Sequence, residues 1–169
     1  MPFTQTELIE KLNHQRDDLF NTLAALTDGT SPWEEQIGKV AIVEQWTAKD
    51  IVGHIAYWEQ VILDHIRESL TEGKPRPLSP KDPEEKINAR ESKKRKGWKW
   101  TRVRAEFEHT RGALIERVAR LSEMELGFIV PNPWWNSQDE FYSIGEMIQE
   151  DALDHSAEHI AQIKLVVQP

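Results

Sequence analysis

Cysteine is missing from all 169 residues. Its absence removes disulfides, iron–sulfur ligation, thiolate zinc sites and cysteine nucleophiles together, so a bound metal has to be held by His, Asp or Glu. No run of about 20 apolar residues is present to span a bilayer as a helix. The opening Met1-Pro2-Phe3-Thr4 turns polar too early for a secretory leader. Gly-rich phosphate loops, a G-x-S-x-G elbow and an H-E-x-x-H motif are missing as well. These absences predict a cytoplasmic protein with no membrane partner.

What is present is charged and acidic. The 21 Lys+Arg face 29 Asp+Glu, for a formal net charge of −8. A nucleic-acid backbone is repelled by such a surface, so no nucleic acid is expected as a partner. With 38% hydrophobic and 30% charged residues, the composition is that of a globular chain. Its length suits one domain spanning 1–169. The charge is uneven: residues 86–104 hold nine bases against Glu91 alone, whereas residues 139–158 hold seven acids and no base. Pairing between these stretches, within the chain or across a homodimer, is the expected use of the basic segment.

Four amphipathic helices are legible from periodicity and end signals. The first begins at Thr4 with Glu7 three residues on, carries Leu8, Leu12, Leu19, Leu23 and Leu26, and closes at Asp28-Gly29. The second repeats the signal with Thr47 and Asp50, flanked by Trp46 and Ile51 as a hydrophobic staple, and runs to Gly73. The proline-rich stretch 74–81 is an extended crossover. The third is predicted to start with Asp82 as N-cap and Pro83 at the first helical position, with a break at Gly97. The fourth starts at Ser143 with Glu146, and buries Ile144, Ile148, Ala152, Ile163 and Val166. Residues 31–45 read as a short helix or strand, and 125–138 as a loop. Four such helices predict an all-α four-helix bundle with long connecting loops.

The histidines sort by helical face. His14 and His109 lie off the apolar stripes and read as solvated surface. His65 faces the core but sits 11 residues from His54, about 16 Å along the axis, too far to share an ion. His54 lies on the buried stripe of the second helix, and His155 and His159 are one turn apart on that of the fourth. An i,i+4 pair stacks two imidazoles on one face, as a shared metal requires, and burying both without purpose costs desolvation twice. Asp50 and Asp151 each stand one turn before one of these residues, as candidate acceptors for the second ring N–H. Asp50 has a competing duty as the cap acid. Unperturbed imidazoles titrate near pH 6.5, so such a site is expected to release metal below about pH 6.

The segments Trp46–Glu59 and Asp154–Ile163 resemble the second- and fourth-helix signatures of the DinB-like superfamily, the DinB and maleylpyruvate isomerase-like four-helix-bundle metalloproteins. The resemblance implies an up-down-down-up bundle and a divalent ion held by three His, here His54, His155 and His159. It also implies thiol-dependent transferases or isomerases, or hydrolases, as neighbours in function, and points to dimers. Trp46–Trp58 together with Ile87-Asn88 is similar to a branch that contains cyclopropane hydrolases. The functional expectation is a metal-dependent hydrolase or low-molecular-weight-thiol transferase acting on a small molecule, with zinc or nickel as the ion. The alternative is a non-catalytic bundle that binds or sequesters metal or a small ligand. Trp58, Trp134 and Trp135 are candidates for the pocket wall.

Overall fold

The computed structural model describes residues 3–25, 41–43, 46–72, 82–131 and 141–167. Their elements, in order, are α1 (Gln5–Ala25), β1 (Ala41–Val43), β2 (Trp46–Thr47), α2 (Ala48–Glu72), α3 (Glu84–Arg95), α4 (Trp100–Arg120), α5 (Glu123–Leu126), β3 (Ile129–Pro131), β4 (Phe141–Ser143) and α6 (Ile144–Met147). A π-helical stretch, Ile148–Asp154, then joins α6 to α7 (His155–Val167) without interruption. Leu26, the Asp28-Gly29 stop, Gly73, the crossover 74–81, Trp134 and Trp135 lie outside the described residues.

The helix starts are made by reciprocal capping. Thr4 N donates to Glu7 Oε2 (2.9 Å) and Glu7 N to Thr4 Oγ1 (3.3 Å). Thr47 and Asp50 repeat the exchange at 3.0 and 3.3 Å, and Ser143 and Glu146 at 2.7 and 3.2 Å. Each pair satisfies backbone N–H groups that the first helical turn leaves without partners. Two short antiparallel ribbons, β1–β2 and β3–β4, lead into α2 and α6 and fix where those helices begin.

The chain departs from the sequence-based expectation at three places. The third helix does break where Gly97 predicts a break, the turn at Lys96 and Gly97 separating α3 from α4. Its N-cap is Pro83 rather than Asp82, whose carboxylate is drawn instead to Lys86 (3.1 Å) and Arg90 (3.4 Å). The region expected to be a loop from residue 125 holds α5 and β3, since Ser122 and Glu125 form a further capping box. Val166 is exposed at the end of the last helix, although Ile163 one turn before it is fully buried.

The long helices pack up-down-down-up. Gln5 at the start of α1 donates to the carbonyls of Val118 and Leu121 at the end of α4, so α1 and α4 are antiparallel. Lys11 reaches Gln149 and Lys164 reaches Asp18, so α1 runs with the last helix. α2 and α4 run parallel. Ile51 and Ile55 share one apolar cluster with Val103 and Phe107, and Ile62 and Ile66 share another with Leu114 and Val118.

Between the two clusters sits a buried charge. Arg111 donates to Glu59, to the carbonyl of Leu12 (3.0 Å) and to Ser156 Oγ (3.1 Å), with Arg111 and Glu59 each only 1% exposed. This one guanidinium therefore ties α4 to α1, α2 and α7. Burial pushes the Glu59 carboxyl upward, and the Arg111 charge opposes that shift.

Candidate metal centre

His54, His155 and His159 meet at the end of the bundle that holds the cluster of Ile51, Val103 and Phe107. Their ring nitrogens lie within 4.8 Å of one another. His54 Nε2 stands 3.0 Å from His155 Nε2, which in turn stands 3.1 Å from His159 Nε2. His54 is buried; the other two are half-buried.

The local folding explains the convergence. The Thr47–Asp50 cap sets the start of α2 and so the height of His54. On the opposite side, the His155 N–H bonds the Glu150 carbonyl five residues back, a π-type hydrogen bond. One extra residue per turn re-aims everything that follows, and such stretches recur at functional sites. His155 and His159 then continue in regular α-helix, stacked one turn apart.

Burial dominates the electrostatics. Desolvation, then the His155 and His159 rings, holds His54 down at about 2. Desolvation, then His159, lowers His155 to about 4. His159 is also lowered by burial, against a hydrogen bond with Gln162 and the charges of Glu158 and Glu84. Burial thus favours the neutral form of all three imidazoles, the form that binds a metal.

The donor set fits a cation. A neutral imidazole has one N–H and one lone pair, so His155 Nε2 has capacity for one good hydrogen bond while facing two other ring nitrogens. Separations of 3.0 and 3.1 Å suit donors about 2.0–2.1 Å from a shared ion. Gln162 Oε1 lies 2.9 Å from His159 Nδ1 and fixes that ring from behind. His14 and His109 are exposed, and His65 is fully buried and stands apart from the cluster.

The two carboxylates expected to orient these rings have other partners. Asp50 Oδ2 accepts from the Thr47 backbone and hydroxyl, so its cap duty prevails. Asp151 accepts from the Tyr142 hydroxyl; the π turn takes it out of the i,i+4 relation to His155. Asn88 takes the position beside His54. It lines the same small pocket as His54 and accepts from Trp58 Nε1 at 3.1 Å. Trp46 closes the other side, stacked on His159 and edge-on to His54.

A small polar pocket opens between α2 and α3 next to His54, lined by Asp50, Asn88, Glu91, Ser92 and Arg95. Arg95, from the basic segment, is buried and bonded to Glu106 (2.7 and 2.8 Å) and Glu91 (3.1 Å). Other arginines of that segment also pair locally, Arg90 with Asp82 and Arg104 with Glu108. Sequence reasoning missed the Asn88 contact and the inward turn of Arg95. The only available signals were the Ile87-Asn88 resemblance and the Gly97 break.

The DinB superfamily model matches residues 11–163, and the chain belongs to that superfamily. Among solved structures, the mycothiol-dependent maleylpyruvate isomerase superposes with a TM-score of 0.72 at 16% identity, over 95% of this chain and 61% of that one. A histidine-to-alanine mutant of that isomerase gives 0.71 at 14% identity, with the same shares covered. This chain thus spans less than two thirds of the isomerase. The colibactin self-resistance protein ClbS, in complex with a dsDNA, superposes with a TM-score of 0.76 at 14% identity, over 99% of this chain and 98% of that one. No curated protein sequence matches. Identities this low carry the fold alone.

Proposed function

We propose that the chain is a divalent-metal protein in which His54, His155 and His159 hold the ion, and that it acts on a small molecule as a hydrolase or thiol transferase. The observation carrying this reading is the convergence of three imidazoles whose ring nitrogens lie within 4.8 Å of one another. When bound, a zinc- or nickel-type ion supplies Lewis acidity, lowering the pKa of water or taking up a thiolate. The residues of this chain do the rest. Gln162 orients the His159 ring, Asn88 holds Trp58 edge-on to His54, and Trp46 and Trp58 shield the cluster from bulk water. Three protein ligands leave coordination room for a reactant, the pattern of reactive rather than structural sites.

The same proposal treats residues 1–169 as one domain, the protein as a cytoplasmic homodimer, and nucleic acid as no partner. The net charge of −8 and the exposed side chains of Ile129 and Phe141, on adjoining strands, support the last two points. No helix among the described residues is long and apolar enough to cross a membrane. The test is elemental analysis of the purified protein, followed by assay of metal-loaded protein against thiol–electrophile pairs and hydrolysable esters or amides. Stoichiometric metal with turnover of either class supports the enzyme; metal-free protein after reconstitution rejects the site. Light scattering across concentration reads the dimer.

A further inference from the structure

The α3 edge of the cluster has an electrostatic character that the three imidazoles do not share. Asn88 Nδ2 donates to Glu84 Oε1 at 3.3 Å, while Asn88 Oδ1 accepts from Trp58, whose ring packs edge-on to His54. Glu84 is exposed, stands in the first turn of α3, and its charge acts on His159. Glu158, on α7, acts on His159 in the same sense. The adjoining pocket adds Asp50 and Glu91, and the cation in its lining, Arg95, is already engaged by Glu91 and Glu106. The described groups on this side thus offer acceptors and negative charge to an incoming molecule.

We infer that Glu84, held by Asn88 at the α3 edge of the three-His cluster, selects substrates that present a positively charged or hydrogen-bond-donating group beside the metal. The inference rests on the metal reading above and adds the chemical class of the substrate. An anionic group in the same place is repelled by both Glu84 and Glu158. An ammonium or amide N–H gains there instead. Asn88 is a positioning residue: it spends one amide end on Trp58 and the other on Glu84, which fixes the carboxylate relative to His54.

The test uses two small thiols of similar length and opposite charge, cysteamine and 3-mercaptopropionate, titrated into the cobalt-loaded full chain. The thiolate-to-cobalt absorption band reports binding without any assay of turnover. The two thiols differ in acidity, but that difference is common to every variant, so the readout is the change in their affinity ratio. Glu84→Gln is expected to shift the ratio about tenfold against cysteamine, and Glu116→Gln, remote on α4, to leave it unmoved. A ratio unchanged in Glu84→Gln overturns the inference while leaving the metal reading intact. Failure of the wild-type chain to take up cobalt overturns both.

Discussion

Arg95 lies flat across Gly53, so close that a Cβ on the glycine would stand 2.6 Å from Arg95 Cδ. The guanidinium has no easy retreat, because Glu106 and Glu91 hold it on both sides. Gly53 immediately precedes His54, so the contact sets how near α3 approaches the cluster. Gly53→Ala is therefore expected to cost about 1–3 kcal/mol from overpacking, despite the better helix propensity of alanine. It should also weaken metal binding by shifting Asn88 away from His54. Urea unfolding and a metal titration measure the two effects. A variant as stable as the wild type would show that α3 is free to move.

Loss of a single imidazole should separate metal binding from folding. The apolar clusters on both sides of Arg111 form without the histidines, and a bundle of this size does not depend on an ion as a zinc finger does. His54→Ala and His159→Ala are expected to lose stoichiometric metal while retaining helical circular dichroism. His14→Ala and His109→Ala, both exposed, should change neither. Full metal occupancy in both site variants would remove the triad from consideration.

Much of this architecture was legible because it rests on local rules. Thr4–Glu7, Thr47–Asp50 and Ser143–Glu146 announce helix starts in the sequence and form the predicted bonds in space. Helical spacing likewise put His54, His155 and His159 on inward faces. The rest depends on contacts remote in sequence. Nothing local marks Ile148–Asp154 as π-helical, and one extra residue in that turn sends Asp151 to Tyr142. Nothing local sets Arg95 and Arg111 apart from surface cations either, and only tertiary packing shows each surrounded by acceptors. Asn88 reaches His54 because the turn at Gly97 folds α3 back toward α2.

The Glu59–Arg111 pair yields a prediction with a clear asymmetry. Removing one partner leaves a buried charge without compensation, at a cost of about 3–5 kcal/mol. Replacing both with apolar residues of similar volume removes the desolvation cost along with the attraction. Glu59→Gln and Arg111→Met should each lower the urea midpoint sharply, and the double variant Glu59→Leu with Arg111→Met should recover much of the loss. Arg111 also serves Leu12 and Ser156, so recovery is expected to be incomplete. Additive losses in the double variant would mean that the pair does not act as a unit.

The pH dependence of the metal follows from the depressed imidazole pKa values. An unfolded histidine titrates near 6.5, whereas the folded values stand at about 2 for His54 and about 4 for His155, with His159 also lowered. The fold therefore favours the neutral rings. Their contribution to the stability of the metal-free protein is full above pH 6.5 and is lost as pH falls from 6.5 through the folded values. Competition between protons and metal obeys only the folded values, because the ion binds the folded site. Metal should accordingly remain bound at pH 5.5, where solvated histidines would already be largely protonated, and leave as the pH approaches about 4. The measurement is the gap in melting temperature between metal-loaded and metal-free protein, read at steps from pH 7.5 to 4. A gap persisting to pH 5.5 and closing near pH 4 is the expected curve. Closure already complete at pH 6 would mean that the rings are more hydrated, and the cluster less buried, than their packing against Trp46 and Asn88 requires.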